Sequence, residues 1–455
     1  MLKKNGIYTV TIEDIGHKGE GVGKVKGIPL FIQGGLPGDE LKVEVTKLKK
    51  NYGFAKLLDI QKPSDQRVIP RCPIAEVCGG CQIMSLDYSE QLNIKTRRVR
   101  ETLQRLGKID APVHAAMGMK EPYHYRNKAQ FPVGMEGNTP VMGFFKTGTH
   151  EIVNTEHCYI QHPVNDVLTK IVKEYIGKYS VTVYDEKSRQ GLLRHMVSRV
   201  SNKTGEVMVI FVINGKELPY KEELIRELKK EVKNLKTVVQ NINTKNTNVI
   251  FGEKTATLYG EGYIVDQLMD LSFYISPRSF FQVNPTQTQV LYQKALDYAD
   301  LKREETVFDL YCGIGSISLF LAQQAKKVYG IEIVPEAIED AKKNGELNNL
   351  SNTEFLLGAA EDVVPKLYEK GITADVVVVD PPRKGCEETV LETMVKMDPK
   401  KIVYVSCNPS TLARDLAYLE ERGYQTKEVQ PVDLFPHTSH VECVALMYKR
   451  GKIVP

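Results

Sequence analysis

Glu305-Thr306-Val307-Phe308-Asp309-Leu310-Tyr311-Cys312-Gly313-Ile314-Gly315-Ser316 is the stretch on which the fold turns. Apolar residues run up to Leu310 as a strand, Gly313 and Gly315 permit a tight turn, and a helix follows from Ser316. Working outward, Val328-Tyr329-Gly330-Ile331-Glu332 is a second strand that ends in an acid. Ala374-Asp375-Val376-Val377-Val378-Val379-Asp380-Pro381-Pro382 is a third, apolar on both faces as a central parallel strand must be. Ile402-Val403-Tyr404-Val405-Ser406 is a fourth. Strands alternating with helices make a doubly wound, Rossmann-like α/β sheet, whose ligands sit at the carboxyl ends of its strands.

Two of those strand ends suggest a cofactor. An acid closing the strand after a glycine turn, here Glu332, is placed to bind ribose hydroxyls. Dinucleotide binding wants a third glycine, but Ile317 and Ser318 follow Ser316, and no basic pocket for a pyrophosphate is evident. A nucleoside cofactor without phosphate fits better, and that favours S-adenosylmethionine. Asp309 and Gly313 are expected against its methionine part, with Tyr311 packed nearby.

The other two strand ends suggest a target. In Tyr404-Val405-Ser406-Cys407-Asn408-Pro409-Ser410 a cysteine stands between a strand and a helix that Pro409 opens. A cysteine is ordinarily a small buried apolar residue, but a helix N-terminus favours the thiolate, and a thiolate can attack carbon. Asp380-Pro381-Pro382-Arg383 ends the neighbouring strand. Enzymes that methylate exocyclic amines put an aromatic where Arg383 stands, and RNA cytosine-5 methyltransferases put a cysteine where Pro382 stands, so both chemistries are disfavoured. A carbon target reached through Cys407 remains.

The rest of the chain is ordinary for a soluble globular protein: 455 residues, 42% hydrophobic, 26% charged. It has no apolar run long enough for a membrane span and no apolar core behind Met1-Leu2-Lys3-Lys4-Asn5, so no membrane partner and a cytoplasmic location are expected. The net charge of +4 is unevenly spread. Residues 1–62 hold eleven Lys against seven Asp or Glu. Their strand-like runs Tyr8–Ile12, Ile28–Ile32 and Leu41–Val45, with glycines at 16, 19, 21 and 23, predict a small OB-like β-barrel of the kind that offers a face to oligonucleotides. Residues 85–107 predict a basic amphipathic helix with Leu92, Val99 and Leu103 on its apolar side and Lys95, Arg97, Arg98, Arg100, Arg105 and Lys108 along the rest. Such a patch fits a phosphate backbone.

Between barrel and sheet lies a central α+β region, residues 63–265. It begins with Cys72-Pro73-Ile74-Ala75-Glu76-Val77-Cys78-Gly79-Gly80-Cys81, and Cys158 is the next cysteine. Four sulfur ligands suit zinc or an iron–sulfur cluster, and spacing alone does not choose. His157 also leaves a three-cysteine, one-histidine zinc site open. Strands are expected at Lys128–Val133, Glu206–Phe211 and Thr237–Gln240, and a helix near 219–233. Tyr125-Arg126-Asn127-Lys128 and Arg194-His195 read as exposed surface or RNA contacts. Cys312, Cys386 and Cys443 read as structural.

The order of these motifs, together with Phe280-Phe281-Gln282-Val283-Asn284 and His440-Val441-Glu442, resembles the RNA uracil-C5 methyltransferases, in particular the bacterial 23S ribosomal RNA members with an N-terminal TRAM domain. The resemblance implies three regions: a TRAM domain over 1–62, a cluster-bearing domain over 63–265, and an S-adenosylmethionine-dependent methyltransferase domain over 266–455, with 85–115 packed on the last. It implies a [4Fe-4S] cluster on Cys72, Cys78, Cys81 and Cys158. It maps cofactor contacts to Gln282, Tyr311, Glu332 and Asp380 beside Gly313, the nucleophile to Cys407 and the proton-abstracting base to Glu442. Ser316 stands where relatives often have Asn. Phe280 is expected to stack on the target base or a neighbour, and Phe281 to be core. The expected partner is 23S ribosomal RNA and the expected state a monomer. Two alternatives stand: a transfer-RNA T-loop uridine as target, or a non-catalytic iron–sulfur RNA-binding or assembly factor.

Overall fold

The computed structural model describes residues 2–451. Strands Ile7–Ile15, Gly21–Val25, Ile28–Ile32, Glu40–Leu48 and Gly53–Lys62 close into a barrel. Period-two alternation drives the closure: Val10 and Ile12, Leu30 and Ile32, and Leu41, Val43 and Val45 point inward and are buried together. The barrel is not tethered loosely. Its Ile15 and Leu36 pack on Ile83, Leu86 and Ile94, and its Asp14 meets Arg97 at 3.1 Å.

The basic segment forms a helix, Tyr88–Thr102, that tightens into a π turn at Leu103–Gly107. Asp87 caps it by accepting from the Ser89 N–H at 2.9 Å. Val99 and Leu103 are buried against Leu412 and Leu416 of the C-terminal region, while Leu92 is half-buried. One member of the expected phosphate-facing set is elsewhere. Lys95 is 1% exposed and donates to Asp433 at 2.5 Å and to the Phe435 carbonyl at 3.1 Å. A lysine can be buried only with such a partner.

The central region is a seven-stranded sheet in the order Lys254–Tyr259, Leu235–Ile242, Val207–Ile213, Leu193–Val200, Lys128–Glu136, Thr139–Phe145, Ile152–Asn154. Helices Val164–Tyr179 and Lys221–Glu231 cover one face. The other face shares a core with the C-terminal region: Val197, Ile210 and Val239 pack with Phe273, Leu291 and Phe320. The expected boundary at 265/266 falls inside a strand, Ile264–Leu268, which pairs with Leu271–Ile275. Arg194 is not surface either. It is 6% exposed and donates to the carbonyls of Asn243 and Lys245.

The C-terminal sheet has seven strands: β1 (Thr306–Leu310), β2 (Lys327–Glu332), β3 (Thr353–Leu357), β4 (Val376–Val379), β5 (Lys401–Ser406), β6 (Tyr424–Val432) and β7 (Glu442–Lys449). Their order is β3-β2-β1-β4-β5-β7-β6. All neighbours are parallel except β7, which runs antiparallel to both β5 and β6. That reversal matters, because it brings the first residue of β7, Glu442, beside the last residues of β5.

Candidate active site

The turn after β1 is built for close approach. Tyr311, Gly313 and Gly315 all have positive φ, at 67°, 56° and 79°. A Cβ on Gly315 would sit 2.9 Å from the Phe355 ring, so only glycine fits there. A Cβ on Gly313 would meet nothing within 4 Å, leaving open space over the turn. The Gly313 N–H donates to Glu332 at 3.1 Å, and the Val334 N–H donates to the other oxygen at 2.9 Å. Two amides thus orient the Glu332 carboxylate beside that space.

Asp309, one residue before the end of β1, is 1% exposed. Its Oδ2 accepts from Ser318 at 2.5 Å, while its Oδ1 is buried without a partner. Burial, with Asp380 and Glu332 adding to it, lifts this carboxyl to about 7. Asp380, after β4, is lifted by burial to about 6. Glu442 is 5% exposed and stands at about 8, through burial first and the charge of Asp380 second, with Arg383 opposing. Tyr292 lies among all three acids, and its hydroxyl meets Ser316 at 3.1 Å. Three acids around Tyr292, with Arg383 the guanidinium that opposes Glu442, favour a cation nearby.

Cys407 follows β5 and is half-buried. The Asn408 side chain caps the helix Pro409–Glu420 by accepting from the Ser410 N–H at 3.1 Å, and its amide donates to the Arg383 carbonyl at 3.0 Å. The two loops are therefore locked together. The thiolate expected from the helix terminus is not the resting form. Burial, then Glu442, then Asp380 push the thiol up to about 12, outweighing Arg383. Cys407 opens on a small cleft of about 40 Å³, shared with His17, Arg98, Arg383 and His440. Sequence reasoning missed His17 and Arg98 here, because they arrive from the barrel and the basic helix.

Other expected residues are more dispersed. The Tyr311 phenol turns toward Cys386, Glu361 and Glu387 rather than into the open turn. Gln282 is 8% exposed, and its carbonyl accepts from Asn127 at 3.1 Å. Phe280 is 65% exposed and Phe281 is 5% exposed in the core. Gln282 and Phe280 line a cavity of about 470 Å³ together with Cys72, Cys78, Cys81 and Cys158.

The four cysteines stand around that one cavity. Burial raises every one of the thiols, and the charges of neighbouring cysteines add to it at Cys78, Cys81 and Cys158. Gly79 passes so close to Phe145 that a Cβ would sit 2.8 Å from its carbonyl oxygen, and the Gly80 N–H donates to Cys78 Sγ at 3.4 Å. The donor set is soft sulfur, as zinc or an iron–sulfur cluster requires. Among the described residues, though, no group of three or more His, Cys, Asp or Glu is arranged to hold a metal ion. His157 is engaged elsewhere, with Nδ1 against Asp166 at 2.5 Å.

A glycine turn and acid at β1 and β2, facing a cysteine and two carboxyls at β4, β5 and β7, define an S-adenosylmethionine-dependent RNA methyltransferase. The tRNA (Uracil-5-)-methyltransferase family model matches residues 87–450 and the TRAM domain model matches residues 3–58. The chain belongs to that uracil-5 methyltransferase family and carries an N-terminal TRAM domain. It is 54% identical to an uncharacterized RNA methyltransferase of Bacillus cereus over 452 residues, covering 99% of this chain and 98% of the relative. It is 51% identical to one of Clostridium tetani over 450 residues, covering 99% and 98%. Among solved structures it is similar to the Pyrococcus abyssi tRNA (uracil-54, C5)-methyltransferase in complex with S-adenosyl-L-homocysteine, with a TM-score of 0.78, 28% identity, and coverage of 96% of this chain and 99% of that one. No described helix is long and apolar enough to cross a membrane.

Proposed function

We propose that this protein methylates C5 of a uridine in 23S ribosomal RNA through a covalent bond between Cys407 and C6 of the base. The observation that carries the reading is the convergence of Cys407, Asp380 and Glu442 at one end of the sheet, where Ser406 pairs with Cys443 in register and so sets Cys407 and Glu442 side by side, and where Asp380 follows the strand next to β5. S-adenosylmethionine, when bound, supplies an electrophilic methyl group on a positively charged sulfur. Gly313 would leave room for its methionine part, Glu332 would accept from its ribose hydroxyls, and the acids at Asp309 and Asp380 would complement its charge.

Uracil C5 is a weak nucleophile. The Cys407 thiol gives up its proton to solvent, its thiolate adds to C6 as the C5–C6 π electrons shift toward O4, and C5 would then bond to the methyl carbon while that carbon's bond to sulfur breaks and the electron pair stays on the sulfur. Glu442 removes the C5 proton, the electron pair left behind re-forms the C5–C6 double bond, and Cys407 leaves as thiolate. A carboxyl poised at about 8 is a stronger base than a solvated glutamate. The base must be unpaired or flipped to reach the sulfur, and the exposed Phe280 would stack on it or on a neighbouring base. The four cysteines would hold a [4Fe-4S] cluster with a structural role, since methyl transfer needs no electrons. Purified protein should then be brown with absorbance near 400 nm, and a colourless protein with one zinc would overturn this part.

A second reading, transfer RNA as substrate, is favoured by the similarity to the Pyrococcus abyssi enzyme, whose whole domain complement this chain shares. Mapping 5-methyluridine in ribosomal and transfer RNA from a strain lacking the gene separates the two. Loss from 23S RNA is expected; loss from transfer RNA alone would move the assignment.

A further inference from the structure

The barrel carries three aromatic residues that its core does not use. Phe31 and Phe54 are register neighbours on parallel strands, with ring centroids 5.7 Å apart. Tyr52 closes the triad edge-on, 5.9 Å from Phe31 and 5.7 Å from Phe54. None belongs to the barrel's apolar cluster, and Tyr52 is 40% exposed. Lysines surround them. Lys47 lies opposite Phe54 in the ladder, the Lys49 N–H donates to the Tyr52 carbonyl at 2.8 Å, and Lys50 and Lys56 are adjacent in sequence to the same turn and strand. Lys24 of the barrel pairs with Glu13 at 3.3 Å, whereas Lys47, Lys49, Lys50 and Lys56 are exposed and have no ion pair among the described residues.

The triad also borders the reaction site. The Phe31 ring packs against Gly16, where an added Cβ would sit 3.2 Å from Cδ1. The next residue, His17, lines the Cys407 cleft, and its carbonyl accepts from Ser439 at 3.0 Å. Arg98 donates to the Ser439 carbonyl at 2.8 Å from the same cleft. The Arg383 guanidinium, also in the cleft, has no hydrogen bond or ion pair among the described residues. Aromatic faces, unpaired cations and the nucleophile are thus continuous over one seam.

We infer that Phe31, Tyr52 and Phe54 form a stacking platform for an unpaired base next to the target uridine, and that the RNA backbone passes His17 to reach Cys407 between Arg98 and Arg383. This rests on the RNA reading above and narrows it: the substrate is single-stranded on one side of the uridine, because a paired base offers no free face to the triad. Stacking of one base on an aromatic side chain is sequence-tolerant, and its loss weakens binding roughly 5- to 150-fold.

The test uses the full-length protein and a synthetic RNA stem-loop bearing the mapped uridine, with neighbouring nucleotides replaced singly by abasic ones. Tyr52→Ala should raise KM for this RNA within that range, leave KM for S-adenosylmethionine unchanged, and be rescued by Tyr52→Phe. One abasic position should cost wild type a similar factor and cost Tyr52→Ala nothing further, a non-additivity that a folding defect does not produce. Fluorescence anisotropy with the same RNAs reads the platform even where no methyl is transferred, so failure of the catalytic reading is seen separately. Undiminished RNA affinity in Tyr52→Ala, or additive losses at every abasic position, overturns the inference.

Discussion

Replacing Glu442 by glutamine keeps the side chain's size and removes its charge, and the structure says what that does to the sulfur nearby. The Cys407 thiol is pushed from 9.0 to about 12, by burial first and by the Glu442 carboxylate second. Two unit charges about 4 Å apart interact by about 4 kcal/mol at an effective dielectric near 20, and less with distance or solvent. A modest share of that, about 1.4 kcal/mol, is tenfold in thiolate at a fixed pH. The effect depends on pH because Glu442 itself titrates at about 8. At pH 9 the wild-type carboxylate is charged and opposes the thiolate, so Glu442→Gln should be alkylated at Cys407 by iodoacetamide about tenfold faster. At pH 6 the wild-type carboxyl is protonated and the ratio should fall to near one. Mass spectrometry of the peptide containing Cys407 measures both. A ratio that does not change with pH, or a variant slower than wild type at pH 9, would refute the coupling.

The same carboxyl makes stability pH-dependent. Its folded-state value is raised from 4.5 to about 8, so the folded protein holds a proton the unfolded chain gives up, and stability present below about pH 4.5 is lost as pH rises to 8. Glu442→Gln should remove that slope and be more stable than wild type at pH 8 by roughly 2–4 kcal/mol in urea melts. Lys95→Met leaves Asp433 buried without its cation and should cost about 3–5 kcal/mol by the same measurement; an unchanged midpoint would show that the pair is not buried in solution. Gly313→Ala puts a methyl group where the structure has open space, at a φ of 56° that costs alanine about 1 kcal/mol. Titration calorimetry should show at least a tenfold loss of S-adenosylhomocysteine affinity with little loss of fold, whereas unchanged affinity would move the cofactor off this turn.

The catalytic sheet was legible because strands buried on both faces leave apolar runs, such as Val376-Val377-Val378-Val379, that only a central parallel strand explains. The barrel was legible through its glycine turns, although the closing strand Gly53–Lys62 carried no comparable signal. What stayed hidden depended on partners far away in the chain. Lys95 reads as one more base on a polar face until Asp433, 338 residues later, takes it into the interior. The elevation of the Cys407 thiol was invisible for the same reason. The helix terminus beside it is written in the local sequence, but the opposing acids come from the ends of β4 and β7. The seam that brings His17 and Arg98 to Cys407 joins three distant segments, so no local pattern could disclose it.

The central claim is that Cys407 forms a bond to the uracil ring, and 5-fluorouridine in the mapped RNA tests it, because fluorine at C5 leaves Glu442 no proton to remove. With S-adenosylmethionine present, wild-type protein should give an RNA adduct that survives a denaturing gel and carries the transferred methyl group, and Cys407→Ala should give none. An adduct of undiminished yield in Cys407→Ala would contradict the account.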